Sequence, residues 1–205
     1  MKAQTHQTGI TTLVSLILVS FASVASAQFR LINFETIPPY PATVDSFAQL
    51  FPGLTLASGN QWVADEVNSS VFENIRGRSI TGLSGALLTI SFDSPTRDLT
   101  MDLGSGELGV TLTISIMGFL GGQPVFSQSF ITHQVAGGAD EVRAYTFGTV
   151  DSIVVRRTGG SSLLTLDNLS FVTVPEPTTP ALLLAGGLVF VLRLRASTMR
   201  ARRVC

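Results

Sequence analysis

The chain holds one cysteine, one lysine, one tryptophan and two histidines in 205 residues. A single cysteine excludes an internal disulfide framework. Charged residues make up only 13% of the chain, about half the usual share of roughly 25%. Low charge can accompany disorder, but hydrophobic residues reach 45% here. Disordered chains are poor in apolar residues, so a packed body is expected. The net charge of -1 gives no global attraction to nucleic acid. What is present divides into three unlike segments.

Residues 1–27 contain Lys2 and no acid. An apolar run covers 11–24 and closes on Ala25-Ser26-Ala27. A basic start, a short apolar run and a small-x-small end predict a secretory signal peptide. The run is shorter than the roughly 20 residues of a membrane span, which argues against an uncleaved anchor. Cleavage after Ala27 leaves Gln28 as the mature start.

At the other end, Pro175-Glu176-Pro177 is followed by Thr178-Thr179-Pro180. Prolines fix φ and remove donors, so this piece reads as an extended linker. Residues 181–192 are wholly apolar or glycine, and Arg193, Arg195, Arg200, Arg202 and Arg203 follow. Twelve residues make a helix of roughly 18 Å. That is short for a hydrocarbon core of roughly 30 Å unless flanking residues extend it. The arginines are expected on the cytoplasmic side.

Those three parts, in that order, resemble a PEP-CTERM sorting signal over residues 174–205. The resemblance implies that the tail is a substrate of exosortase, a membrane-embedded peptidase. It implies removal of the tail and delivery to the cell surface of a Gram-negative bacterium that makes extracellular polysaccharide and biofilm. An ordinary C-terminal anchor would carry the same positive flank. Cys205 reads as an incidental terminal thiol.

The body, residues 28–173, carries seven arginines and thirteen acids, a net charge near -6. That argues against a nucleic-acid surface. Apolar or alternating runs cover 29–36, 53–57, 87–92, 99–103, 108–117, 124–132, 142–147, 149–156 and 163–174. Turn formers separate them, as in Asp93-Ser94-Pro95-Thr96 and Gly121-Gly122-Gln123. Period-two alternation and such spacing predict an all-β, antiparallel sandwich or jelly roll. Only residues 44–51 read as a helical turn. The rhythm, closed by Leu166-Asp167-Asn168-Leu169-Ser170-Phe171, resembles galactose-binding-like jelly-roll domains, which include carbohydrate-binding modules.

That second resemblance implies a structural calcium held by a glutamate of the first strand and an aspartate of the last. Glu35 and Asp167 match those places, and hard oxygen ligands suit calcium. The plainer reading has Asp167 accepting hydrogen bonds from a neighbouring turn while Glu35 is solvated. The same two acids are the material for a glycosidase pair, but no positioned motif supports one. Trp62 and Asn60 are candidate sugar contacts, through ring stacking and amide hydrogen bonds. The alternative places the Trp62 ring over the end of the core. His133 is the body's only histidine. Alone and without cysteine it excludes the usual zinc site. No Gly-x-Ser-x-Gly supplies a nucleophile elbow.

The expectation is an exported, non-catalytic binding or structural protein. Before processing it is held in the inner membrane by its C-terminal helix. Its partners are the secretion machinery, an exosortase and extracellular polysaccharide. A secreted polysaccharide hydrolase on the same fold is the alternative.

Overall fold

Alternation along each strand decides which side chains meet the core. The computed structural model describes residues 27–67, 72–83, 85–135, 138–146 and 148–175. The signal-peptide segment 1–26 and everything from Glu176 onward lie outside the described residues. Among the described residues no helix is long and apolar enough to cross a membrane.

The strands are β1 (Gln28–Ile32), β2 (Leu54–Ala57), β3 (Trp62–Val67), β4 (Gly77–Gly82), β5 (Leu87–Ser105) and β6 (Thr113–Leu120). They continue as β7 (Gln123–Ile131), β8 (His133–Gln134), β9 (Asp140–Thr146), β10 (Val150–Gly159) and β11 (Leu164–Thr173). One 3-10 turn, Val44–Phe47, interrupts them. All the pairings are antiparallel. The all-β sandwich expected from the alternation is the fold observed.

β5 ties the two layers together. Its first part pairs with β2 and β10, and β10 leads on to β6 and β7. Its second part pairs with β11 and β9. β4 and then β3 extend the β11 side, and β1 lies along the last residues of β11. Between the two parts stand Pro95 and Asp98, the latter at φ 53. Register slips there, and the strand passes from one layer to the other. Proline cannot donate to a ladder, and corners of this kind are where sandwiches accept it.

The inward residues repeat every second position, except in β11, where the irregularity at Asn168 adds one residue between Leu166 and Leu169. Leu88, Ile90 and Phe92 of β5 face the core, as do Ile153 and Val155 of β10 and Leu166, Leu169 and Phe171 of β11. Phe92 and Phe171 meet edge to face, with centroids 4.9 Å apart. Each such side chain contributes about 1.5–3 kcal/mol of burial.

Asp45, in the 3-10 turn, fixes the loop before β3. It accepts hydrogen bonds from Ser58 N (2.9 Å), Ser58 Oγ (2.6 Å) and Asn60 N (2.6 Å). Burial alone pushes its carboxyl pKa up, but the hydrogen bonds from Ser58 and Asn60 outweigh it and hold the value below normal. They also hold Asn60 at φ 61. Asp45→Ala should lower stability by about 1 kcal/mol, a charged hydrogen-bond set discounted for solvent. Urea unfolding checks this; an unchanged midpoint would show that the loop holds itself.

Candidate functional site

Two regions merit attention. The first is a carboxylate cluster on the outer side of the β11 layer. Asp102 of β5 and Asp167 of β11 stand directly opposite each other. Arg143, across from Asp102 on β9, donates Nε to Oδ1 at 2.7 Å and Nη2 to Oδ2 at 3.0 Å. Gly104 lies two residues on. Its lack of a side chain lets Phe72 and Ile75 lie against the sheet, where a Cβ would come within 2.5 Å and 2.7 Å of their carbons. Residues 72–76 thus form a roof, and Phe72, Ile75 and Ala139 make a small second core beneath it.

The roof is latched by polar contacts. Asn74 donates its backbone N–H to Glu141 Oε2 at 3.3 Å and its side-chain amide to Oε1. Asn168, at φ 49, donates Nδ2 to the Asn74 carbonyl at 2.9 Å and to Asp102 Oδ2 at 3.0 Å. Asp167 accepts from Arg76 N at 3.3 Å and Asn168 N at 2.8 Å. Asp102, Glu141 and Asp167 are all buried. Glu35, exposed in the turn after β1, lays its carboxylate against Gly77, where any side chain would overlap it.

Charge in this cluster does not balance. Arg143 engages Asp102, but the Arg76 and Arg78 guanidinium groups turn to the carbonyls of Glu73 and Ile37. Burial pushes the Asp167 carboxyl pKa up to about 6; the N–H bonds from Asn168 and Arg76 oppose this, and the charges of Asp102 and Glu35 add to it. A hard cation here would need oxygen donors beyond Glu35 and Asp167, since both Asp167 oxygens already accept the Arg76 and Asn168 N–H groups. Among the described residues no three acids or histidines converge as a metal site, so carbonyls or water would have to complete the set. The same geometry removes the glycosidase pair. Asp167 is buried under the roof instead of flanking an open cleft, where two carboxyls must stand.

The second region is a groove of about 430 Å³ lined by Thr36, Pro38, Ser46, Phe47, Gln49 and Leu50. Tyr40, 69% exposed, stands two residues beyond Pro38. The lining combines two hydroxyls and an amide with apolar side chains. Asn60 is exposed, and Asp45 ties its turn to the residue before Ser46.

Trp62 requires a correction. Its ring is fully buried against Gly82, so no face is open for stacking on a sugar. Its Nε1 has no hydrogen-bond partner. β3 alternates inward at Trp62 and Ala64, and this buries the indole despite the polar residues before it. His133 is exposed on the short strand β8. Pro175 is the last described residue; Glu176, Pro177 and the five tail arginines lie outside. The sequence reading overlooked the groove. A tyrosine set among Pro38, Pro39 and Pro41 was its signal, since prolines stiffen a loop that presents a ring.

No family model matches the chain, and no curated protein matches it. Solved structures do. The CBM32 module of AlyQ in complex with 4,5-unsaturated mannuronic acid is 11% identical over 59% of this chain and 95% of that one, with a TM-score of 0.37. A mutant of CBM29-2, a family 29 carbohydrate-binding module, is 11% identical over 72% of this chain and 92% of its own, at 0.38. The CBM22-1–GH10 modules of Clostridium thermocellum xylanase 10B, complexed with xylohexaose, are 11% identical over 72% and 28%, at 0.39. Likeness at this level carries no argument about ligand or activity.

Proposed function

We propose that the chain is an exported, non-catalytic surface protein whose β-sandwich binds extracellular polysaccharide in the groove lined by Thr36, Ser46, Gln49 and Leu50, with Tyr40 as a neighbouring contact. The groove is the observation that carries this reading. Sugars present apolar ring faces and many hydroxyls; the exposed Leu50 in the groove and the exposed Tyr40, two residues beyond Pro38, suit the first, and Thr36, Ser46 and Gln49 suit the second. Export rests on the signal-peptide pattern of residues 1–27. Surface delivery rests on the tail, with Pro175, Glu176 and Pro177 as the motif read by an exosortase. The arginines from Arg193 to Arg203 hold the orientation before the tail is cut. Glu35 and Asp167 would hold a calcium ion, and what it supplies there is neutralisation of the surplus carboxylate charge.

Residues 27–174 form one compact unit, so the body can be tested alone. Titration with the host's extracellular polysaccharide should give saturable binding. Tyr40→Ala should weaken it about tenfold, since an aromatic contact is worth on the order of 1.5 kcal/mol. Tyr145→Ala, on an exposed tyrosine of β9, should leave it unchanged. Equal binding by Tyr40→Ala would move the site elsewhere. No binding by the parent body would remove the polysaccharide reading and leave the sorting assignment standing.

A further inference from the structure

β1 presents two apolar side chains to the outside. Phe29 is 68% exposed and Leu31 is 58% exposed. They share a face because strand side chains alternate, and Arg30 between them points the other way. The register carries that face across the layer. Leu31 stands opposite Ser170, Ser170 opposite Thr100, and Thr100 opposite Tyr145. Phe29 stands opposite Val172, and Val172 opposite Arg97. The result is an open surface with Phe29, Leu31 and Val172 at one end, Tyr145 across it and Arg97 at its side. No carboxylate is in these rows, but the adjacent exposed Asp98 pairs with Arg97 at 3.6 Å.

The position of this surface in the fold matters more than its composition. Gln28 pairs with Thr173, so the first and last strands begin and end together. The chain leaves the sandwich at Val174, two residues beyond Val172. Six residues, 175–180, then separate the body from the apolar run that starts at Ala181. Six residues span at most about 20 Å, the contour limit of any chain of that length. If the run enters a bilayer, the end of the sandwich bearing Phe29 is kept close to the headgroups. The opposite end of β11, near Leu163, lies about 30 Å further off, at roughly 3.3 Å per residue.

We propose that the Phe29–Leu31–Val172 face rests on the lipid bilayer while the chain is still attached to its tail. The inference rests on the reading of residues 181–192 as a membrane anchor. A tyrosine, an arginine and apolar side chains are what an interfacial surface uses. Holding the body down on this face also fixes how the 175–177 motif is presented to a membrane-embedded peptidase. After the cut, the weak apolar contact alone would not keep the body on the membrane.

The test uses the chain's single tryptophan. Trp62 is fully buried and gives a constant background. Phe29→Trp places a reporter on the proposed face. Leu108→Trp places one at an equally exposed site, 62%, in the loop beside Leu163 at the far end. The full chain, recovered after export from a host without an exosortase, is reconstituted into phosphatidylethanolamine–phosphatidylglycerol vesicles. Their lipids carry bromine near the headgroup. Flotation of the vesicles reports the anchor; quenching reports the face. The expected result is flotation of both variants, with Phe29→Trp emission quenched about twofold, as for a side chain within the interface, and Leu108→Trp unchanged. Flotation with no quenching of Phe29→Trp, or with equal quenching of both, overturns the proposal and leaves the anchor intact. Failure to float removes the anchor reading and the proposal with it. A concentration-dependent change of Phe29→Trp emission in the lipid-free body would assign the face to a second copy instead and also overturn the proposal.

Discussion

With calcium chelated, the stability of the body should fall as pH rises from 4 to 7, and Asp167→Asn should abolish most of that fall. The sign follows from the direction of the shift. Burial, reinforced by the negative charges of Asp102 and Glu35, raises the folded-state pKa of Asp167 to about 6, from 3.8. Well below pH 3.8 the group is protonated in both folded and unfolded chains, so it adds no penalty. Between the two values the unfolded chain gives up its proton first. Stability therefore drops through this window and levels off above the folded value. The size is on the order of 3 kcal/mol, or about 10 °C in Tm for a domain of this length. Asparagine keeps the shape and cannot ionise, so its profile lacks this component. Other groups, Asp45 among them, titrate in both proteins and cancel in the difference. Urea unfolding across the pH range measures that difference, and parallel profiles would show that Asp167 is not penalised.

Calcium at pH 7 provides the second half of the same experiment. A cation that binds only the folded site stabilises by about 2.7 kcal/mol at a hundredfold excess over its Kd. The parent should gain and Asp167→Asn should not. Glu35→Gln should lose the calcium response while keeping most of the pH dependence, because Asp167 stays buried. A parent unmoved by calcium would leave the pH effect as a plain cost of burial. The roof latched by Asn74, Arg76 and Asn168 would then be the reason for the cluster.

The strands that surfaced in the sequence were those that alternate cleanly. β6, β7, β10 and β11 all overlap the apolar or alternating runs 108–117, 124–132, 149–156 and 163–174. β3 and β4 did not surface. β3 mixes Asp65 and Glu66 with Val63 and Val67, and β4 opens on Gly77-Arg78-Ser79. The positions on the face away from the main core carry Asp65 and the buried Ser79 and Thr81, and Thr81 Oγ1 bonds Asp65 Oδ2 at 3.0 Å and Thr165 Oγ1 at 3.2 Å. A polar ladder on the outer face is a tertiary fact, and no local pattern announces it. Residues 93–96 misled in the other direction. They have turn composition, yet β5 runs straight through them because it changes layers there. Of the cluster, only Glu35 and Asp167 were legible; Asp102, Glu141 and Arg143 join it through pairings between distant strands. Trp62 was misplaced as a ligand contact for a related reason. Its neighbours Asn60 and Gln61 are polar, but strand alternation begins at Trp62 and turns the ring inward.

That placement makes Gly82→Ala the substitution with the largest expected cost in the core. Gly82 faces Trp62 directly in the β3–β4 ladder and neighbours Leu164 on the other side. A Cβ there would lie 2.5 Å from Trp62 Cε2 and 2.8 Å from Cζ2. Neither separation is tolerable between carbons, and a fully buried indole has no open side to move toward. Overpacking of this kind costs about 1–3 kcal/mol, and the upper end is expected because the obstacle is a rigid ring. The second substitution decides the cause. Trp62→Phe removes the outer ring that the methyl would strike. Combined with Gly82→Ala it should destabilise less than the two single changes added together, by at least about 1 kcal/mol of coupling. Additive losses would mean that glycine at this position serves the backbone and not the ring. The tryptophan's own emission adds an independent check. In the parent a soluble quencher should not reach it and polysaccharide should not alter it, because the ring is fully buried. In Gly82→Ala the quencher should gain access. A parent whose tryptophan responds to sugar as strongly as Tyr40→Ala weakens binding would return Trp62 to the site and require β3 to open.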